Sequence, residues 1–431
     1  MAHYLNRLFR LVPRSFIVFA LKIAGAGLAF LTNVIVARLA SKDIAGVYFG
    51  LLSVTTLLFA VARYGLGYST AKLVAAADAR GETDLIGATM FESLKAVATY
   101  SIIVMSLALV TSIILIGASW ISWPVVASAL MLCSIAPFCV GSIIMEGVRG
   151  MRRSFAFGLF DSVVFKSVIL AGLASFGFEC GLTGLAIGYL LATIANAFLA
   201  YRVFRSGYSP GISARFADIK QADALRKITH PLAIVSIATV TVQWAPTIIV
   251  STLLSPTVAA EYFAAFRTAA VLDFIVVAAS IVVGPELVRA SQLHGDRLMV
   301  RAAIKAATSV FISATLIASM LFVFAPDVMR LYGPTYADGG GVLRVLVVGQ
   351  VLAAPFAFGL QVLIAGGHER KAAKTAALTA IAGVIVIFLG SNYGGNVGAA
   401  IGQSTALVIQ VLFLSITALR ASKAKLRDQS E

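Results

Sequence analysis

The residues of this chain best suited to chemistry are charges in apolar surroundings. The stretch Thr257 to Gly284 is apolar enough to cross a membrane, yet it carries Glu261, Arg267 and Asp273. A charge near a bilayer centre costs at least about 2.5 kcal/mol, so such residues face a cavity, a partner or a pathway. Arg267 and Asp273 are six residues apart, about 120° around a helix, and pair poorly along it. Arg267 therefore needs a counterion from another helix or from a ligand. A guanidinium in that position suits bidentate recognition of a phosphate or carboxylate.

Other polar residues raise the same question. Lys22 shares a helix face with Gly25, Ala26, Ala29 and Asn33, a small and polar face that either packs closely on a neighbour or lines a wet cavity. Lys166 stands in mid-span five residues from Asp161, poorly placed to pair on its own helix, so an interhelical ion pair and a cavity site are both open. Asp161 and Asp273 are candidates for ion coupling or for internal pairing. Gln243, Gln350, Gln403 and Gln410 add neutral hydrogen-bonding groups suited to a sugar or to a neighbouring helix. The candidate binding set is Arg267, Lys22, Lys166, Asn33 and Gln243. Arg63 and Arg344 lie close enough to span ends to snorkel, and Lys95, three after Glu92, reads as half of a helical pair.

Covalent and metal chemistry find little support. Cys133, Cys139 and Cys180 lie in or beside apolar runs without ligand spacing, and His3, His230, His294 and His368 are scattered. Neither a catalytic residue nor a cofactor or metal is expected.

The elements that must position these groups are membrane helices. The chain is 60% hydrophobic and 12% charged with a mean hydropathy of +0.95, far outside the soluble range. The net charge of +15 does not indicate nucleic acid, because the Lys and Arg fall between apolar runs rather than on one solvated face. The apolar runs predict twelve transmembrane helices, near residues 16–37, 44–64, 87–115, 120–146, 157–177, 182–203, 231–254, 257–284, 302–325, 340–365, 375–391 and 397–419. The first run is too long for a signal-peptide core and lacks a small-residue cleavage site, so no cleavable signal is expected.

The chain also repeats. Leu39, Ser41, Ala45, Tyr48 and Phe49 return 214 residues later as Leu253, Ser255, Ala259, Tyr262 and Phe263. Gly184, Ala186, Ile187 and Gly188 return at the same offset as Gly398, Ala400, Ile401 and Gly402. Ala136-Pro137-Phe138 matches Ala354-Pro355-Phe356 at the slightly longer offset of 218. Six spans per copy is an even number, so both copies enter the membrane from one side as parallel repeats, the architecture of many transporters. The expected units are an N-terminal six-helix lobe over 1–210, a cytoplasmic linker over 211–229 with an interfacial helix from 212 to 228, and a C-terminal six-helix lobe over 230–431. Pro137, Pro355 and Pro246 are expected to kink their spans. With the N-terminus inside, roughly 25 of the 34 basic residues are cytoplasmic, which places both termini in the cytoplasm. No far-side loop is long enough to form a domain.

These residues resemble a known family. The resemblance rests on the opening basic helix, Leu39 through Gly50, Tyr64-Gly65-Leu66-Gly67, Tyr262-Phe263-Ala264-Ala265-Phe266-Arg267, Gly284-Pro285-Glu286, and Ala325-Pro326-Asp327 leading to Leu331-Tyr332-Gly333-Pro334-Thr335-Tyr336. The chain looks like the polysaccharide-transporter branch of the multidrug/oligosaccharidyl-lipid/polysaccharide exporter superfamily, the bacterial lipid-linked oligosaccharide and O-antigen flippases. The resemblance implies two six-helix lobes around a central cavity that opens alternately to each side of the inner membrane. It implies an undecaprenyl-pyrophosphate-linked oligosaccharide as substrate, membrane lipids as surroundings, and a polysaccharide polymerase and glycosyltransferases as partners. By position, Lys22 and Arg267 correspond to cationic cavity sites in related flippases. A drug or cation exporter of the same superfamily would favour acidic cavity residues, and a membrane polymerase or ligase would carry a sizeable far-side loop. A purely structural assembly partner would not require charges in its spans.

Overall fold

In lipid an apolar segment can satisfy its backbone only within a helix or a closed barrel. The computed structural model follows the first course: among its described residues there are helices and turns but no strand. Those residues are 14–121, 123–208, 219–277, 279, 280, 283, 287 and 296–428.

Ten stretches are long and apolar enough to cross a membrane. The longest, Glu369–Ser422, has 54 residues, or about 80 Å as one helix, far more than a hydrocarbon core of about 30 Å. It is divided at Gly395, where φ is 56° and ψ −138°, into the eleventh and twelfth spans. The eighth span begins as Pro256–Ala269 and continues through a 3-10 turn, Ala270–Leu272. Counting these gives twelve spans, so the protein is a multi-pass, all-helical membrane protein. The motif Gly284-Pro285-Glu286 lies outside the described residues.

The sequence repeat is also a repeat of backbone geometry. The helix Phe165–Arg205 is broken at Gly181 with φ 54° and ψ −135°, the same conformation as Gly395 and 214 residues before it. Only glycine adopts that conformation without strain. Ser41 and Ser255, again 214 apart, cap the second and eighth spans by accepting hydrogen bonds from the Ile44 and Val258 amides at 3.4 and 3.3 Å. Phe49 and Phe263 stack on each other at 4.1 Å. Equivalent side chains that touch in this way lie beside the axis relating the repeats. They belong to a buried core shared by both halves, with Tyr48, Tyr262, Tyr332 and Tyr336.

The fourth and tenth spans are interrupted near their matched prolines. The fourth is split into Val125–Cys133 and Ile135–Gly150, three residues before Pro137, and the tenth passes through a 3-10 turn, Ala354–Phe356, around Pro355. Proline lacks the amide that would close the preceding turn. Pro246 leaves the helix Ile219–Leu253 unbroken.

Two segments depart from expectation. The link after the second span contains a helix, Leu66–Arg80, whose Val74 and Ala77 pack with Met90, Ile144, Val148 and Phe204 in a separate core. Its mixed composition hides it among apolar runs. The interfacial helix expected from 212 to 228 lies partly outside the described residues. From Ile219 onward the chain is already in the helix that runs to Leu253, so that part continues into the seventh span.

Candidate functional site

Several of the span charges meet at one cavity of about 330 Å³, walled mainly by the first, second, fourth, fifth and sixth spans and closed by residues of the seventh and eighth. Asn33 of the first span, Arg63 of the second, Glu146 of the fourth, Asp161 and Lys166 of the fifth, and Arg267 of the eighth all line it. Aromatic groups complete the wall, among them Phe157, Trp244 and Phe263.

Arg267 projects from the helix Pro256–Ala269 with its guanidinium 5.6 Å from the centre of the Trp244 ring. Neither Asp161 nor Asp273 lies within ion-pair distance of it among the described residues, although the charge of Asp273, six residues on, acts on it. The indole face holds the guanidinium through a cation–π contact and leaves its hydrogen-bonding edge for other partners. Lys166 is placed similarly, with its ammonium 4.9 Å from the Phe165 ring centre and no carboxylate on it among the described residues.

Lys22 does not line the cavity, but it reaches the wall through Asp161. Its ammonium donates to Asp161 Oδ2 at 2.7 Å. The two residues come from the first and fifth spans, 139 positions apart. The small face of the first span does both things open to it: Gly25 packs against the fifth span, while Ala29 and Asn33 line the cavity. A Cβ on Gly25 would sit 2.4 Å from the Ser162 carbonyl oxygen. That backbone contact falls within a π-helical turn, Phe160–Val164, which also carries Asp161.

Some contributors lie outside the expected set. Arg63, read as a snorkelling residue, bonds Glu146 at 3.5 Å, and Arg149 bonds the same carboxylate at 2.8 Å. The Phe157 ring has Lys22 at 6.0 Å and Arg149 at 5.4 Å. Glu146 sits three residues before Arg149 at the end of an apolar run, and that spacing was its only signal. Trp244 gave no signal beyond its type.

Gln243 and Asp273 are not among the lining residues. The neighbouring Trp244 takes the place on the wall, while the Gln243 carbonyl accepts from Gln403 Nε2 at 3.3 Å. The side chain of Gln403 is itself used internally, accepting from Tyr262 Oη at 2.5 Å. Arg344 is tied at its span end, donating to the Phe322 carbonyl at 3.1 Å.

The two ends of the cavity differ. At the ends of the spans away from most basic residues, the far face, Lys42 pairs with Glu261 and donates to the Thr335 carbonyl at 2.8 Å. Arg38 donates to the Leu331 carbonyl at 2.7 Å, and Asn396 to Glu261 at 3.5 Å. The bonds of Lys42 and Arg38 join the halves, and Asn396 steadies Glu261 from within its own half. At the other, basic face, Tyr64 Oη bonds His230 Nδ1 at 2.6 Å and Ser69 bonds Thr229 at 2.7 Å, so the second span packs along the seventh. The equivalent pairing of the eighth span with the first is slight among the described residues. Asp161, on the cavity wall, is about half uncovered by protein.

The site is thus an aromatic-walled cavity with five cations on or just behind its wall, Lys22, Arg63, Arg149, Lys166 and Arg267, against two carboxylates, Glu146 and Asp161.

Solved structures share this fold. The chain is similar to an inward-facing multidrug resistance MATE family transporter of the MOP superfamily, with a TM-score of 0.74, 14% identity, and coverage of 95% of this chain and 99% of that one. It is equally similar to the lipid II flippase MurJ in an inward closed conformation, at TM-score 0.74 and 14% identity over 94% of this chain and 90% of that one. Against an outward-facing MATE family transporter the TM-score is 0.65 at 16% identity, over 95% and 96% of the two chains. No curated protein matches the sequence. The model of one family, described as polysaccharide biosynthesis protein, matches residues 11–291. With well over half of its length matched, the chain belongs to that polysaccharide biosynthesis protein family.

Proposed function

We propose that this protein is a flippase that carries an undecaprenyl-pyrophosphate-linked oligosaccharide across the bacterial inner membrane, for surface polysaccharide biosynthesis, by alternating access. On this reading both termini are cytoplasmic and the basic face is the cytoplasmic one. Glycosyltransferases build the substrate on that side, and a polymerase takes it up on the other. The observation that carries the reading is Arg267: a cation held on Trp244 in a cavity of net positive charge, with no carboxylate on it among the described residues.

A polar sugar diphosphate loses its hydration on entering hydrocarbon, a cost a cavity must replace. Arg267 and Lys166 receive the diphosphate through charge-assisted hydrogen bonds. Asn33 offers hydrogen bonds to the first sugar. The polyprenyl tail stays in lipid, passing between the first and eighth spans, which touch little among the described residues. A cavity of about 330 Å³ is at the small end of ligand sites. In this conformation it takes the diphosphate and the nearest sugar, with the rest of the head group toward the open face. The bonds of Lys42 and Arg38 keep the far face shut until the halves rock apart. No covalent bond changes in this cycle.

The test is substitution of Arg267 with export and membrane abundance measured together. Arg267→Ala is expected to abolish export at near-normal abundance, because it leaves no bonded carboxylate orphaned. Arg267→Lys keeps the charge but loses the bidentate fork, and is expected to retain partial export. Full export by Arg267→Ala would refute the assignment.

A further inference from the structure

Arg344 stands apart from the central cavity, and among the described residues no carboxylate pairs with it. Its Nε donates to the Phe322 carbonyl at 3.1 Å, and its guanidinium carbon lies 5.6 Å from the centre of the Phe322 ring. Phe322 belongs to the last turn of the ninth span, Asp296–Val323, where a carbonyl lacks a partner within its own helix. One nitrogen satisfies that carbonyl. The two terminal nitrogens have no acceptor among the described residues. Nor does the shared fold call for a cation here: the equivalent positions in the first half, at the offsets of 218 and 214, are Val126 and Leu130.

Arg344 lines a second hollow, a groove of about 590 Å³ between the tenth and twelfth spans. Its floor is a close contact of the two helices. A Cβ on Gly349 would sit 2.3 Å from Ser404 Oγ, and the Ser404 hydroxyl is turned to the Val345 carbonyl at 3.2 Å. Along its sides Val348, Leu352 and Ile401 are exposed, so the groove opens outward to lipid. Both spans set out from the far face. The tenth begins at Gly340, soon after Thr335, and the twelfth beside Asn396, two residues whose bonds to Lys42 and Glu261 lie there. Arg344 is therefore near the far-face end, and Leu352, eight residues on, is about 12 Å deeper. That is most of the depth of one leaflet, about 15 Å.

We propose that this groove binds one anionic glycerophospholipid from the leaflet of the far face, with its phosphate on the Arg344 guanidinium and an acyl chain along Val348 and Leu352. The order of chemistry down the groove is that of the lipid: a cation at head-group level and apolar walls beneath. The terminal nitrogens of a guanidinium suit bidentate contact with a phosphate. Charge selects the head group. No acidic residue lines the groove, so a lipid with a net negative charge neutralises Arg344, whereas the ammonium of a zwitterionic lipid finds no carboxylate there. The volume lies within the range of ligand sites, about 300–1,000 Å³. The bound lipid ties the ninth, tenth and twelfth spans together on the outside of the C-terminal half. The inference stands apart from the reading of the central cavity.

The experiment uses the full-length protein in detergent with two probes, dioleoyl phosphatidylglycerol and dioleoyl phosphatidylethanolamine. Retention of each is read by native mass spectrometry and by the rise it produces in thermal melting. The wild type is expected to hold one phosphatidylglycerol about tenfold more tightly than phosphatidylethanolamine, the scale of one hydrogen-bonded charge. Arg344→Leu is expected to lose that preference, and Arg344→Lys, which keeps the charge without the fork, to fall between. Val348→Trp fills the groove with Arg344 in place and is expected to give the same loss of phosphatidylglycerol, so the reading survives poor folding of Arg344→Leu. Equal retention of the two lipids by the wild type, or undiminished phosphatidylglycerol in the folded groove variants, would overturn the proposal. So would loss of the groove-dependent phosphatidylglycerol on adding a polyprenyl diphosphate, which would assign the groove to the tail of that lipid. A dimer that Val348→Trp dissociates would assign it to a second copy of the chain and would overturn the proposal as well.

Discussion

If the halves rock apart to open the far face, the bonds that join them there must break, and the ion pair of Lys42 with Glu261 is the strongest of these. The side chains of the pair retain only 22% and 15% exposure, and Lys42 is also held by the Thr335 carbonyl at 2.8 Å and lies 5.4 Å from the Tyr336 ring centre. An exposed ion pair contributes up to about 1 kcal/mol, and removing one partner of a fully buried pair costs about 3–5 kcal/mol. This pair lies between, so Lys42→Gln should shift the closed-to-open equilibrium of the far face by about 2 kcal/mol, or about 30-fold. A protein that is outward-open about 1% of the time would then be open about a quarter of the time. Trp120 and Tyr393, 77% and 85% exposed, are on the far face in opposite halves and suit spin labels once Cys133, Cys139 and Cys180 are removed. Pulsed distance measurement should show a longer population appearing in Lys42→Gln and in Glu261→Gln. The double variant should shift less than the sum of the two, because it leaves no orphaned charge. An unaltered distance distribution in both single variants would refute the role of the pair as a latch.

Other elements of the account are open to equally direct checks. Glu146→Gln removes the carboxylate shared by Arg63 and Arg149 and, because both cations are partly exposed, should destabilise the protein by about 1 kcal/mol. Thermal melting would show it as a small fall, partly recovered by adding Arg63→Gln, and an unchanged melt would contradict it. Gly181→Ala and Gly395→Ala should each cost about 1–3 kcal/mol, since both glycines hold the same positive-φ conformation. A neutral melt for either variant would contradict the shared strain. Reporter fusions after Gly117, Gly181, Pro256 and Asn392 should read as periplasmic, and those after Arg153, Ser209 and Lys371 as cytoplasmic. A mixed pattern would end the parallel-repeat topology.

Much of the fold was legible because lipid makes the code simple: a long apolar run becomes a helix, and charge between runs sets its direction. The offset that relates Tyr48 to Tyr262 also relates Ser41 to Ser255 and Gly181 to Gly395, so the repeat is visible wherever a residue type is forced by a cap or a backbone conformation. The helix Leu66–Arg80 escaped notice because it is held by packing on Met90 and Ile144, which no local pattern encodes. The site was less legible, for a reason of geometry. Charges in spans identify themselves by their cost, which is why Arg267, Lys166 and Asp161 stood out. Their partners come from other helices: Lys22 meets Asp161 across 139 positions, and Arg63 meets Glu146 across 83. The rotation of a helix about its own axis decides such contacts. In the seventh span it turns Trp244, and not Gln243, to the cavity.

The central claim is that a cationic cavity carries a lipid-linked diphosphate sugar from one leaflet to the other. Its most direct test is reconstitution of the purified protein in liposomes containing a fluorescent polyprenyl-diphosphate oligosaccharide, with leaflet position read by a reagent that cannot cross the membrane. The account predicts that the wild type equilibrates the lipid between leaflets, and that Arg267→Ala, at equal incorporation, leaves it where it began. Transfer no faster than in protein-free liposomes, or equal transfer by wild type and Arg267→Ala, would contradict it.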